Sequence, residues 1–284
     1  MGMSVNTNIG AMTALQALNM TNKGLAQTQS RINTGLNVSS TKDDSATYTI
    51  AQDLRADLNG LRAVTSSLNR AKSVTDVAVS GAEQISDVVN QMKTLALQAS
   101  DPGAPVESRA AYNKDFTALR DQITVIVNSA DFNGTNLLKT SGGSIAALQS
   151  LNNLASGSGY TPDSLSVTNQ QMSLAASGSG SLTAISAINS SGAAKTMVTT
   201  LIAYQNSVKL TLADLGAASR KIDNQLTFAS KLADTIEGGI GNLVDADLAK
   251  ESAKLQALQV KQQLGVQALS IANQAPQTIT SLFK

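Results

Sequence analysis

A seven-residue spacing of apolar side chains, kept over long stretches, constrains the fold of this chain more than any other feature. Residues 194–243 carry eight apolar positions at this spacing: Ala194, Leu201, Val208, Leu215, Ile222, Ala229, Ile236 and Leu243. Residues 44–99 carry two such rows, one starting at Leu61 and the other at Val64. Sustained heptad spacing is typical of long helices that pack lengthwise against each other. The sequence therefore predicts two long helices, and a shorter one over 106–130 that follows a stop at 101–105.

Composition narrows the function classes. The chain has 284 residues with four Phe, four Tyr and no Trp, so its apolar content is mainly small and aliphatic. It has neither Cys nor His, which removes disulfides, thiol chemistry and the commonest general base and metal ligand. A net charge of +1 does not indicate a basic surface that would bind nucleic acid. We expect no enzymatic activity, no catalytic residue, no cofactor, no metal site and no nucleic-acid partner.

Neither a membrane span nor a cleavable leader is visible in the sequence. No segment approaches the roughly 18 consecutive apolar residues that a membrane-spanning helix needs. The first twenty residues lack the basic region and the continuous apolar core of a signal peptide. We expect no membrane insertion, and any export would use another route.

The two ends of the chain are almost without charge. Lys23 is the only charged residue between positions 2 and 30, and residues 262–283 contain none. Both ends show helical periodicity, and the C-terminal end carries two apolar rows, so more than one neighbour must cover it. Two ordinary core helices are the alternative. We predict a self-assembly interface formed by Leu15, Leu18, Leu25, Ile32, Leu36, Leu255, Leu258, Val260, Leu264, Leu269 and Ile271.

Turn and cap residues divide these helical segments. Gly35 ends the first helix, and Asp43 and Asp44 suit the start of the next one better than a site of paired carboxylates. Gly60 and Gly81 are expected to weaken the long helix by about 1 kcal/mol each. A hinge is predicted at three glycines close in sequence, Gly238, Gly239 and Gly241.

The middle of the chain has a different composition. Residues 140–194 are rich in Gly, Ser, Ala and Asn, and we expect a small insert with one hairpin and one short helix. Just before it, Asn133 and Gly134 predict a tight hairpin turn. Residues 136–138 are expected to form a short strand.

The predicted fold is mainly α, a long antiparallel coiled-coil or helical-bundle rod with paired terminal helices. The small, partly β insert is expected at the end of the rod far from the termini. The expected domains are an N-terminal inner-core helix (1–40), the two parts of the rod (41–138 and 194–237), the insert between them (139–193), and the hinge with the C-terminal inner-core helix (238–284).

Three sequence motifs in this order resemble those of the bacterial flagellins, over nearly the whole chain except the insert. The first is R-I-N-T-G-L followed by K-D-D-S-A, and it contains Arg31, Gly35, Lys42, Asp43 and Asp44. The second is F-N-G followed by L-L, and it contains Asn133 and Gly134. The third is A-N-Q-A-P-Q near the C-terminus, and it contains Asn273, Gln274 and Pro276.

The resemblance implies a structural protein of the bacterial flagellum that serves motility. Flagellins polymerise with other subunits into a hollow extracellular filament, whose inner tubes are formed by the terminal helices. They leave the cell through the flagellar type III export apparatus with an export chaperone. They join the filament between hook-associated junction and cap proteins. A hook–filament junction protein with similar ends, and less favourably a soluble coiled-coil adaptor, are the alternatives.

Overall fold

The computed structural model describes residues 7–150, 163–172 and 187–282, with side chains described up to residue 274. This part of the chain contains five helices: α1 (Ile9–Thr34), α2 (Ser45–Ala99), α3 (Val106–Ser129), α4 (Ser191–Val244) and α5 (Leu248–Leu282). It also contains two strands, β1 (Ile145–Ser150) and β2 (Asp163–Val167). The prediction of a mainly α fold with a small β element is therefore confirmed.

The chain divides into two compact units. One consists of residues 57–234, and the other combines residues up to 56 with residues from 235 onward. We call them the middle unit and the terminal unit and describe each by itself.

The heptad rows form the core of the middle unit. Both rows of α2 are buried along their whole length: Leu61, Leu68, Thr75, Ala82, Val89 and Ala96, and Val64, Ala71, Ala78, Ile85, Met92 and Ala99. The row of α4 is also buried, from Ala194 to Ala229. The small residues in these rows let the helix backbones approach closely, as the spacing predicts.

Side-chain contacts show that α2 and α4 run antiparallel. Lys72 pairs with Asp223, Asn90 with Gln205, and the Ser191 hydroxyl donates to the carbonyl of Ser100 at 2.7 Å. Residue numbers that increase along α2 thus pair with residue numbers that decrease along α4.

A third layer covers this helix pair, and two different elements build it. Helix α3 returns along the last part of α2 and buries Phe116, Ile123 and Val127 in the core. The β1–β2 hairpin lies on the earlier part of α2, where the Leu148 N–H donates to the Ser67 hydroxyl at 3.1 Å. The hairpin also receives a hydrogen bond of 2.7 Å from Gln225 of α4 to the carbonyl of Gln149. That carbonyl is free to accept because Gln149 lies at an irregularity in the pairing of β1 with β2.

One arginine holds the reversal between α2 and α3. The Arg109 guanidinium donates to the carbonyls of Ala99, Asp101 and Pro102 at 3.0–3.2 Å. Carbonyls at the end of a helix have no partner within the helix, so this side chain satisfies groups that would otherwise need water.

Two predictions about the loop after α3 have opposite outcomes. The tight turn is confirmed, because Asn133 and Gly134 both have positive φ angles (53° and 79°) and Phe132 pairs with Thr135. The strand over residues 136–138 is wrong. The Asn136 side-chain oxygen accepts the N–H groups of Leu138 and Lys139 at 2.8 Å, which folds the segment into a local turn.

The insert agrees with the prediction in part, and its described hairpin lies beside Ser67 and Gln225, near the first and last residues of the middle unit, and not at the end of the rod far from the termini. It contains the expected hairpin, in which Ile145 pairs with Val167 in antiparallel register. No short helix is found in its described residues, 139–150, 163–172 and 187–190, and the remaining residues lie outside the description.

Gly81 has a different role from the weak point predicted for it. It is buried, and a Cβ at this position would lie 2.9 Å from Leu138 Cδ1 and 3.3 Å from Ala130 Cβ. Its missing side chain makes room for the segment that follows α3.

We expect Gly81→Ala to destabilise the middle unit by about 1–3 kcal/mol, because the added methyl group overpacks the core. The matched control is Gly216→Ala in α4, where the nearest atom to a new Cβ is the Arg220 side chain at 3.7 Å. Higher helix propensity should make that change stabilising by about 0.5–1 kcal/mol. Urea unfolding followed by circular dichroism measures both, and equal shifts in the same direction would contradict the assignment.

The three predicted hinge glycines do not interrupt the helix, and this correction concerns the terminal unit. Helix α4 continues through Gly238, Gly239 and Gly241 to Val244. Nothing lies within 4 Å of a Cβ built at the first two, so no close contact requires glycine there. The break comes later, where the Asp247 carboxylate accepts the N–H groups of Ala249 and Lys250 and caps α5. Movement at the glycines stays a prediction.

Candidate self-assembly surface

Helices α1 and α5 form an antiparallel pair in the terminal unit. The Asn8 side chain donates to the carbonyl of Ala272 at 2.7 Å, and Gln262 donates to Asn22 at 2.8 Å. Further along, Arg31 contacts Glu251 at 3.2 Å. In these three contacts the residue numbers increase along α1 and decrease along α5. The two helices therefore face each other over most of their length.

Two leucine–glycine contacts bring the helices close together. A Cβ at Gly265 would lie 3.3 Å from Leu18 Cδ1, and a Cβ at Gly24 would lie 3.6 Å from Leu258 Cδ1. Each helix therefore places a leucine over a glycine of the other helix. This reciprocal arrangement uses one of the two apolar rows that the sequence shows on the C-terminal segment.

Only part of the predicted interface faces inward. The partly buried members are Leu18, Leu25, Ile32, Leu36, Leu255, Leu258 and Leu269. The remaining four, Leu15, Val260, Leu264 and Ile271, are exposed on the isolated chain. Leu36 follows α1 and packs near Val38, and the others separate into residues that hold the helix pair together and residues that the pair presents outward.

The outward residues form an apolar face on each helix. On α5, Leu264 is 59% exposed and Ile271 is 68% exposed, and no charged residue lies between positions 262 and 274. On α1, the exposed residues are Ile9, Met12, Leu15 and Met20. Ile9, Met12 and Met20 lie outside the seven-residue spacing that relates Leu18, Leu25 and Ile32, and the predicted interface does not include them. Their separations of three and eight residues, which also place them on one helix face, could have revealed them.

A polar cluster is enclosed where α1 ends and α5 begins. Arg31 binds Glu251, whose side chain is only 10% exposed, and Lys254 approaches the other carboxylate oxygen at 3.6 Å. The spacing of Glu251 and Lys254 in the sequence is typical of an ion pair on one helix surface, but nothing in the sequence indicates the contact with Arg31. Burial alone raises the pKa of Glu251, but the hydrogen bond from Arg31 and the nearby positive charges outweigh it and lower the pKa.

Because of this pKa shift, the stability of the α1–α5 pair depends on pH in the acidic range. A carboxyl group with a lowered pKa in the folded state stabilises that state above its ordinary value of 4.5, and the contribution is lost as the pH falls below it. We expect the difference in unfolding free energy between the unaltered protein and Glu251→Gln to be larger at pH 7 than at pH 3. Denaturant unfolding of both proteins at the two pH values measures it. An equal difference at both would show that the charge of Glu251 contributes nothing.

The segments that flank the helix pair are joined by backbone hydrogen bonds. Gly35 ends α1 with a left-handed φ of 70°, and its carbonyl accepts the Ala246 N–H at 2.9 Å. The Val244 carbonyl accepts the N–H groups of Asn37 and Val38. A small apolar cluster of Val38, Ala51, Ile240 and Val244 packs beside this link.

The two aspartates of the first motif are turn and cap residues. The Asp44 carboxylate accepts the N–H groups of Ala46 and Thr47 and caps α2. The Asp43 carboxylate accepts hydrogen bonds from Ser39 and Ser40, and those from Ser39 contribute most to lowering its pKa. Capping, the favoured interpretation of these residues, is what the geometry shows.

The other motif residues are exposed or lie near the end of α5. Lys42 is exposed, and Asn273 and Gln274 are exposed on α5. Pro276 lies within the bounds of α5, beyond the last described side chain. Among the described residues, no group of three or more acidic side chains is placed to hold a metal ion.

Comparison with known proteins identifies the family. The model of the bacterial flagellin N-terminal helical region matches residues 5–142, and that of the flagellin C-terminal helical region matches residues 196–283. The chain belongs to the bacterial flagellin family. As a flagellin it is a structural subunit that polymerises with other flagellin subunits into the extracellular filament of the flagellum.

Individual relatives agree with this family. The chain is 46% identical to flagellin FljM of Caulobacter vibrioides, over 99% of this chain and 98% of the relative. It is 38% identical to a flagellin of Brucella melitensis, over 99% of both chains. Relatives this similar over their full length do not favour a hook–filament junction protein.

A solved structure supports the fold. A Vibrio parahaemolyticus protein described as flagellar hook-associated aligns with a TM-score of 0.56 and 14% identity, over 72% of this chain and all of that one. This likeness concerns the fold alone. Among the described residues, no helix is long and apolar enough to span a membrane.

Proposed function

We propose that this flagellin joins neighbouring subunits through the outward faces of α1 and α5. The observation that carries the proposal is the exposed apolar face on each helix, at the ends of the chain that have almost no charge. On α5 this face contains Val260, Leu264 and Ile271, and on α1 it contains Ile9, Met12, Leu15 and Met20. We call these two faces together the outer face.

The free energy available from covering the outer face is large. A large aliphatic side chain that becomes fully buried contributes about 1.5–3 kcal/mol. Three such residues on α5 and four on α1 are more than scattered exposed residues would explain, and contiguous apolar patches of this kind mark interaction surfaces. Neutral Gln, Asn and Ser side chains between them can form hydrogen bonds when they are partly buried, without the cost of burying a charge.

The inward-facing part of the predicted interface has a supporting role in this proposal. Leu18, Leu258 and Gly265 hold α1 against α5, so that one chain presents both apolar faces together. The link between residues 35–38 and 244–246 connects this helix pair with the segment before α2 and with the end of α4.

The finer details rest on the family. We propose that residues 1–40 and 238–284 act as the inner core of the filament, with 41–138 and 194–237 as the rod and 139–193 as a variable insert. We further propose export by the flagellar type III apparatus with a chaperone, contact with hook-associated junction and cap proteins, and no enzymatic activity, cofactor, nucleic-acid partner or membrane insertion.

Seeded growth tests the proposed function. Purified protein added to short filament seeds should extend them to micrometre length, measured by electron microscopy. A junction protein would bind the seed ends and stop their growth, and a coiled-coil adaptor would leave the seeds unchanged. Either of these two results would contradict the proposal.

A further inference from the structure

We infer that Arg31 and Glu251 are positioning residues that fix the register between α1 and α5. The inference rests on the proposed function, because the register decides where the apolar face of α1 lies relative to that of α5 along the helix pair. The pair lies at the end of an interface in which the other described cross-helix contacts are apolar or uncharged.

A repeating apolar interface specifies register poorly. The inward residues of both helices recur at spacings of three and four, so a shift of seven residues would again bring apolar side chains face to face. Polar residues at buried positions of paired helices are the best-attested means of selecting one register over others.

Such a shift would separate the charges. In one direction Arg31 would face Leu258, and in the other it would lie beyond the first residue of α5, toward Val244. Glu251 would correspondingly lie beyond the last residue of α1, toward Val38, or face Gly24. The carboxylate is largely enclosed in the native register, so a shift would leave a charge against apolar groups with its partner removed. Breaking such a pair costs far more than the pair itself contributes to stability.

A second contact opposes one direction of shift. Leu18 lies over Gly265 in the native register. The shift that moves Arg31 toward Val244 would place Leu18 against Leu258. Leucine against leucine needs more space than leucine against glycine, so the helices would have to separate. The ion pair penalises both directions, and we therefore assign it the main role.

Engineered disulfides can report the register, because the natural chain has no cysteine. A Cβ at Gly10 would lie 4.0 Å from Ala272 Cβ, within the range that a disulfide requires. The pair Gly10→Cys/Ala272→Cys thus reports the native register. The pair Ala17→Cys/Ala272→Cys reports a seven-residue shift in the direction that the contact of Leu18 with Gly265 does not oppose, and it leaves that contact unaltered. Each is measured as intramolecular disulfide yield in the soluble full-length protein under mild oxidation.

Each reporter pair is combined with Arg31→Glu, which places two carboxylates opposite each other. We expect the ratio of native to shifted disulfide to fall by roughly tenfold or more, because an unpaired enclosed charge penalises the native register. The matched compensating variant is Arg31→Glu/Glu251→Arg/Lys254→Glu, which reverses all three charges and should restore the native ratio.

Two outcomes would overturn the inference. Unchanged ratios in Arg31→Glu would show that the link at residues 35–38 and 244–246 sets the register alone. Loss of native and shifted disulfides together would show that the ion pair only stabilises the helix pair. Since the readout uses soluble protein, it is independent of seeded growth, and a failure of the proposed function would appear only in the growth assay.

Discussion

Replacing Leu264 with glutamate is expected to abolish filament growth without disturbing the folded chain. Leu264 is 59% exposed on the outer face of α5, so a glutamate there stays in water in the isolated protein. In the proposed assembly the same carboxylate would be buried without a partner, which costs on the order of 3 kcal/mol or more per subunit. A cost of that size raises the critical concentration for growth by roughly a hundredfold. Seeded growth measured by light scattering and electron microscopy tests this result.

The matched control for this prediction is Leu264→Gln, which has the shape of glutamate without its charge. We expect it to weaken growth by roughly tenfold, since burying an uncharged amide costs much less than burying a carboxylate. Both variants should keep the far-UV circular dichroism of the unaltered protein and the native disulfide of Gly10→Cys/Ala272→Cys. Filaments of ordinary length from Leu264→Glu at ordinary concentration would refute the outer face as an assembly surface.

The sequence predicted the middle unit well because periodicity is a local signal with one physical cause. Twelve apolar or small positions in α2 lie in two heptad rows, and all twelve are buried. The starts and ends of α2 and α3 are also close to their predicted bounds, since capping residues such as Asp44 and breakers such as Pro102 act within a few residues. Helix bounds and buried positions that depend on nearby residues can be predicted without knowledge of distant contacts.

Predictions that depended on distant contacts were less successful. The sequence predicts a weak point at Gly81, because nothing near it in sequence shows that Leu138 packs against it. The strand expected at 136–138 is replaced by a turn, because Asn136 bonds to the following backbone and to the Val127 carbonyl. The helix continues through Gly238 and Gly239, since backbone hydrogen bonding tolerates glycine where no competing turn is offered.

The sequence predicted which segments form the candidate surface, but not which of their residues face inward and which face outward. Two apolar rows on the C-terminal segment indicated two partners, and the structure shows that one of these partners is α1 of the same chain. Sequence alone could not decide which row faces inward, because Leu258 and Leu264 are equally apolar and lie in the same helical segment. The partner of Arg31 was also hidden, since Glu251 is 220 residues away.

Leu18→Glu is expected to prevent assembly by a different route from Leu264→Glu, through loss of the α1–α5 pair itself. Leu18 is half-buried over Gly265, and a carboxylate in its place would lie against apolar groups of α5. The lost apolar contact and the enclosed charge together cost on the order of 3 kcal/mol. We expect reduced helical signal from α1 and α5, loss of the disulfide between Gly10→Cys and Ala272→Cys, and no growth from seeds. The middle unit should keep its cooperative unfolding, because its heptad core contains none of these residues.

The matched control is Leu15→Glu, which adds the same charge three residues earlier on the exposed side of α1. It should keep the native disulfide and the helical signal but fail to extend seeds, as expected for a residue of the outer face. The two leucines thus separate the roles that the structure assigns, since only Leu18 is needed for the helix pair and both are needed for the filament. A native disulfide in Leu18→Glu at the yield of the unaltered chain would show that this leucine does not hold the pair together. Its failure to grow would then have to be explained by contacts between subunits.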